Sequence, residues 1–247
     1  MAKTTKILLG LPWYDGPDAD TVGVNFEFLH YLGRLQERSR YMLHDVVGIG
    51  CKLDSGGDDP LCEYTPDDYR LFGELEFSYC DETRISLVGM ARERVVEAGL
   101  RWGADWLYFW DADMRFRKST LLRLLRHQKP VVAALAFTAR DPIMPVIYRI
   151  VESADHKGIR FDSKTVFDFP EDKLVGNEDI DGSLAFGSGV VLINMNVFHQ
   201  VPKPWFHSTG CGEDWMFCVR CHEFGIPRYV DTSIKTVDHK KHAPRWA

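Results

Sequence analysis

A chain of 247 residues, 45% hydrophobic and 27% charged, has ordinary globular composition and is long enough for a substantial core. Its formal net charge of -6 argues against nucleic-acid binding through bulk electrostatics, and no apolar run approaches the ~20 residues that cross a bilayer. Met1–Lys6 leads into a strand pattern without a signal-peptide apolar core, and no Asn-x-Ser/Thr sequon occurs, so a soluble, cytoplasmic protein with no membrane span is expected.

Strand and helix patterns alternate from the start. Lys6–Leu11 reads as a strand ending at Pro12, and Pro12–Gly16 as the loop after it. Asn25–Arg40 carries a rough helical stripe (Phe26, Leu29, Leu32, Leu35), His44–Ile49 reads as the second strand, and the Gly, Asp and Pro of Cys51–Pro66 read as a long surface loop. Arg84–Leu100 places Ile85, Val88, Ala91, Val95 and Ala98 at helical spacing; Gly103 closes it, and Asp105–Trp110 is the next strand. Ser119–His127 is a leucine-rich helix and Pro130–Ala136 a further buried strand. This order implies a parallel sheet with right-handed crossovers. Ile147–Val151, Ile159–Phe161 and Val166–Phe169 are shorter and read as an antiparallel excursion. Ser183–Asn194 holds Gly187-Ser188-Gly189 before an apolar run, Glu213–Gly225 reads as a helix, and Arg228–Val230 as a last strand. With no repeat or linker visible, one domain is expected over 1–247.

The run Trp106–Trp110 stops at Asp111-Ala112-Asp113. A short, continuous apolar run reads as a strand buried on both faces, and its C-terminal end is where open α/β sheets bind ligands. Two carboxylates there repel and lose hydration unless a cation joins them, and their hard oxygens suit Mg²⁺ or Mn²⁺. The same Asp-x-Asp pattern at Asp18/Asp20 and Asp179/Asp181 lies in turn-like stretches and reads as solvated loop. Cys218-x-x-Cys221, beside Cys211 and His222, resembles a zinc half-site, but it falls on a helix with no second pair, so buried free thiols are the simpler reading. The end of the chain is locally basic, with Lys235, Lys240, Lys241 and Arg245 around His239 and His242.

Four segments in this order resemble the GT-A superfamily of nucleotide-sugar glycosyltransferases, most closely its family-2-type members. They are Ala91-Arg92-Glu93-Arg94 leading into Trp110-Asp111-Ala112-Asp113, then Phe186-Gly187-Ser188-Gly189, Gly212-Glu213-Asp214-Trp215, and Asp238-His239. One departure is Glu93, where the common family-2 pattern has Asn. The resemblance implies a GT-A (Rossmann-like) α/β fold: a mixed, mostly parallel central sheet with helices on both faces. Residues 1–136 would form the nucleotide-sugar half and 137–247 the acceptor half.

It further implies metal-dependent transfer of a sugar from a nucleoside diphosphate sugar, a UDP-sugar first, to an acceptor hydroxyl. Asp111, Asp113 and His239 would hold Mn²⁺ or Mg²⁺, which neutralises the leaving diphosphate. Asp214 would be the general base and Glu213 its positioning partner; acids in the first turn of a helix are also an ordinary helix start. Pro12, Asp15, Arg84, Arg92, Asp111 and Arg140 would meet the donor. Trp205 and Phe206 either stack on a ligand or pack in the core. The acceptor is open among a glycan, a lipid-linked sugar, a protein and a modified DNA base. Rival readings are a nucleotidyltransferase, a non-catalytic sugar-nucleotide or glycan-binding module, and a zinc enzyme built on the cysteines.

Overall fold

A computed structural model describes residues 3–12, 64–82, 87–111, 114–117, 119–138, 142–152, 161–180, 183–208 and 212–238. The expected helix Asn25–Arg40, the expected strand His44–Ile49 and nearly all of the loop before Pro66 lie outside them.

The central sheet is built on β1 (Thr4–Pro12), β3 (Trp106–Trp110) and β5 (Val131–Phe137), whose apolar runs are what two covered faces demand. Around them lie β2 (Glu74–Glu82), β4 (Met114–Arg115), β8 (Leu174–Val175), β10 (Val190–Asn194) and β11 (Tyr229–Asp238). The order is β2-β1-β3-β10-β5-β11-β4, with β8 also on β11. β1, β2, β3, β5 and β11 point one way, while β10, β4 and β8 oppose them. The sheet is therefore mixed and mostly parallel, as the resemblance implies.

Successive residues of β3 serve opposite cores. Leu107 and Phe109 pack with Val95 and Val96 of α2 (Val88–Trp102), Phe198 of α4 (Asn196–Gln200) and Phe217 of α5 (Glu213–Glu223). Trp106, Tyr108 and Trp110 pack with Phe72 of α1 (Pro66–Phe72) and with Leu121, Leu124 and Leu125 of α3 (Thr120–Arg126). The period-2 alternation of a strand thus places helices on both faces. A smaller antiparallel sheet, β7-β6-β9, is formed by β6 (Ile147–Glu152), β7 (Phe161–Thr165) and β9 (Ser183–Phe186).

Five features differ from the sequence reading or go beyond it. β10 enters antiparallel between β3 and β5, because the chain re-enters the main sheet through the short Gly187–Gly189 turn; an apolar run carries no sign of its direction. On the side of β1 away from β3, its described parallel partner is β2, not read from the sequence, although Leu75, Phe77 and Tyr79 alternate with polar residues as an edge strand does. Ahead of it, α1 starts with a capping box between Thr65 and Asp68, where the sequence suggests only the end of a loop. Val166–Phe169 is not strand; β7 lies just before it. Finally, β11 runs on to Asp238, its second half hidden by polar side chains.

Candidate active site

Asp111 caps β3. Its N–H donates to Gly189 O at 2.8 Å and its carbonyl accepts from Met114 N at 3.0 Å, which fixes the turn leaving the strand. Its carboxylate takes Arg92 Nη2 at 2.6 Å. Arg92, from α2, is 1% exposed, and its Nε reaches Glu213 Oε1 at 3.3 Å. The guanidinium lies 5.2 Å from the Phe109 ring centroid and 5.9 Å from that of Phe206. Burial pushes its pKa down, but Asp111, Glu213 and Asp214 more than reverse this, so the cation is held charged. Its Nη1 is buried with no hydrogen-bond partner among the described residues.

Close backbone approach brings α2 to α5. A Cβ on Gly89 would stand 2.2 Å from Phe206 O and 3.3 Å from Glu213 Cβ, so only glycine admits this contact. Glu93 lies one turn on, and its carboxylate accepts Phe206 N at 2.5 Å, which ties down the segment before α5. Phe206 stacks on Phe217 with centroids 4.6 Å apart, and Trp205 donates to Val201 O at 2.6 Å. Both rings are buried, so they are core residues rather than a ligand platform.

Asp214 sits in the first turn of α5, and its Oδ1 accepts Trp215 N at 2.7 Å. A Cβ on Gly212 would lie 2.6 Å from that oxygen, and one on Gly187 would lie 3.4 Å from Oδ2. Burial raises the Asp214 carboxyl above the ordinary carboxylate range and Glu213 adds to this, against Arg92 and the backbone N–H groups of Trp215 and Ser188. The Tyr148 hydroxyl on β6 is pushed up by burial and then by Asp214. Ser188 Oγ and Trp215 Nε1 are buried and, among the described residues, without partners. A half-buried, charge-loaded carboxylate with glycines on two sides can take a proton from a hydroxyl brought against it.

Of the residues singled out from the sequence, Asp111, Arg92, Glu213 and Asp214 come together here. Pro12 ends β1, paired with Glu82. Asp15, Arg84, Asp113, Arg140, Cys211 and His239 lie outside the described residues. Asp238 pairs with Met114 between β11 and β4, and His239 and Asp113 are their covalent neighbours. Among the described residues alone, no three His, Cys, Asp or Glu side chains could hold a metal ion. Cys218 and Cys221 are fully buried in the core under α5, and burial pushes the Cys218 thiol up to about 12. Tyr148 carries no sequence signal of a role; Ser188 and Trp215 lie within quoted motifs, yet nothing in their spacing shows that the Ser188 hydroxyl and the Trp215 ring N–H are buried.

No family model matches the sequence, and no curated protein does. Solved structures match by fold. GalNAc-T7, crystallised with UDP, GalNAc and Mn²⁺, is 10% identical with a TM-score of 0.50 over 96% of this chain and 44% of that one. A197 from STIV is 17% identical with a TM-score of 0.43, over 65% of this chain and 71% of that one. An apo UDP-glucose pyrophosphorylase is 11% identical with a TM-score of 0.42, over 94% and 91%. The chain spans under half of the GalNAc-T7 structure it matches. The likeness to GalNAc-T7 shows the fold class alone, GT-A-like α/β. Among the described residues no helix is long and apolar enough to cross a membrane.

Proposed function

We propose that the protein is an enzyme that transfers a sugar from a nucleoside diphosphate sugar to an acceptor hydroxyl. One observation carries this reading: Arg92 joins Asp111 to Glu213, partners 19 and 121 positions away in the chain, so two acidic motifs of separate origin form one site. The site lies at the C-terminal end of β3, where a sheet of this kind takes ligands. The likeness to GalNAc-T7 supports the choice, since that structure holds UDP, GalNAc and Mn²⁺ on the same fold.

Asp111, Asp113 and His239 are the proposed holders of a divalent ion, Mn²⁺ or Mg²⁺. The pairing of Asp238 with Met114 favours this set, because each covalent neighbour lies about 3.8 Å along the chain from a paired residue. Bound there, the ion would act as a Lewis acid on the leaving diphosphate. Arg92 holds Asp111 and Glu213 from beneath and so fixes the donor side. Asp214 takes the proton of the acceptor hydroxyl, and a carboxylate whose pKa burial raises is a stronger base than an ordinary one. Pro12, Asp15, Arg84 and Arg140 are the proposed donor contacts, with a UDP-sugar as the first donor to try. The acceptor is a glycan, lipid-linked sugar, protein or modified DNA base, and the halves divide at residue 136.

Nucleotide release from a panel of nucleotide sugars, with Mn²⁺ or EDTA, tests the proposal. Wild type should release nucleotide slowly from one donor in Mn²⁺, and Asp113→Asn should abolish release. Silence across the panel, with no nucleotide shifting the melting temperature, would sink it.

A further inference from the structure

β11 does not run straight to its pairing with β4. It pairs in parallel with β5 as far as Asp231↔Ala134 and resumes at Lys235↔Leu135. Thr232, Ser233 and Ile234 therefore stand opposite no residue of β5, which passes directly from Ala134 to Leu135. Three residues of extended strand cover ~10 Å. An odd number of extra residues also exchanges the faces of every side chain beyond it. The bulge thus sets the register of Lys235–Asp238, whose end pairs with β4 as Val237↔Arg115 and Asp238↔Met114.

Polar side chains hold this bulge on both sides of the sheet. Asp231 is 3% exposed, and its Oδ2 lies 2.8 Å from His127 Nε2 and 3.9 Å from Arg123 Nη2, both arriving from α3 and its C-terminal cap. Its Oδ1 accepts Ser233 N at 2.9 Å and also the Ser233 hydroxyl, to which Arg123 donates in turn. Opposite, Thr232 is fully buried: its N–H donates to Lys173 O at 2.9 Å, and its Oγ1 accepts Lys173 N at 3.1 Å and lies 2.8 Å from Pro170 O. Ile234 is buried in the core beside α3. A buried carboxylate stabilises a strand no better than an apolar side chain does, but its hydrogen bonds are made in one register alone.

We infer that Asp231, with His127, Arg123 and Ser233, is a positioning device: it locks the bulge of β11 and thereby fixes the register in which the backbone of Asp238 meets Met114 of β4, the strand next along the chain from the site residue Asp111. The inference rests on the functional reading above for its purpose and on the strand register for its mechanism. The two are tested separately.

Hydrogen exchange on the free protein tests the register. In Asp231→Asn the amides of Thr236, Val237 and Asp238 should exchange at least tenfold faster than in wild type, while those of Tyr229 and Val230, before the bulge, keep their protection. Should Asp231→Asn fail to fold, His127→Gln removes one partner only and should give the same pattern, more weakly. Calorimetry with Mn²⁺ in the presence of UDP tests the purpose: the variant should bind Mn²⁺ at least tenfold more weakly, whereas Val197→Ala in α4, a buried site of ordinary destabilisation, should bind like wild type. Unchanged protection of Thr236–Asp238, or uniform acceleration along all of β11, overturns the device. Equal weakening in Val197→Ala overturns its link to the site. A wild-type protein that binds no Mn²⁺ with UDP removes the functional reading, and the exchange pattern still decides the register.

Discussion

Replacing Arg92 with methionine removes the cation that links Asp111 to Glu213 while keeping much of the aliphatic stem that fills the space beneath them. Breaking a buried ion pair by deleting one partner typically costs about 3–5 kcal/mol, because the other charge is stranded. Here the stranded carboxylates keep some contact with water, their side chains being 32% exposed for Asp111 and 22% for Glu213. That places the cost at the lower end, about 3 kcal/mol, even after the loss of the cation–π contacts to Phe109 and Phe206. For a chain of this size such a loss lowers the melting temperature by about 6–12 °C. Urea denaturation of Arg92→Met, Glu213→Gln and the double variant separates the pair from the packing. The coupling energy should be at least about 1 kcal/mol, since the residues touch. Arg92→Lys keeps the charge but cannot reach both acids with a fork, so it should be intermediate in stability and still poor in transfer. A total loss under about 1 kcal/mol for Arg92→Met, or additive single variants, would refute the view that Arg92 builds the site.

Three further outcomes follow from the same geometry. The Asp214 carboxyl is raised by burial and by Glu213, so its ionisation opposes folding: stability is full below the ordinary value of 3.8 and is lost as pH rises through the higher folded-state value. Asp214→Asn should therefore abolish transfer yet melt higher than wild type near neutrality, a gain that disappears in acid; a lower melting temperature near neutrality contradicts the sign. Asp68 is the opposite case, its carboxyl held at about 2 by the Arg126 hydrogen bonds against burial, with Thr65 helping. It contributes about 2 kcal/mol above the ordinary 3.8, lost as pH falls through about 2, so Asp68→Asn should flatten the acid limb of the stability curve. Gly89→Ala, which in an open helix would gain about 1 kcal/mol, should instead lose about 1–3 kcal/mol because its Cβ meets Phe206 O at 2.2 Å; a gain in urea would show that α2 is not pressed on that segment.

What the sequence disclosed was mainly what depends on local pattern. Trp106–Trp110 announced a strand buried on both faces, and the leucines of Thr120–Arg126 announced a helix, because burial fixes composition directly. Asp111 stood out because charge at the mouth of a buried strand has no packing reason to be there, whereas Glu213 and Asp214, which also suit an ordinary helix start, stood out only through the order of the motifs. The direction of β10 was not legible, since Val190–Ile193 would be equally apolar running either way. The bulge of β11 was hidden for a related reason: Thr232, Ser233 and Ile234 follow no strand period, and their partners Lys173 and Arg123 are far away in sequence. Arg92 illustrates the limit well. An arginine on a helix has water as its default neighbour, and only the fold shows it sealed under two carboxylates.

The most direct test is to identify the phosphorus-containing products by ³¹P NMR. The protein would be incubated with a UDP-sugar and Mg²⁺, with candidate acceptors present, and in a parallel sample with UTP, a sugar phosphate and Mg²⁺, each compared with Asp111→Asn. The account predicts free UDP, its diphosphate intact, appearing with wild type and not with the variant. Release of pyrophosphate from UTP and a sugar phosphate, or of UMP in place of UDP, would contradict it and assign the same fold to nucleotidyl transfer or diphosphate cleavage instead.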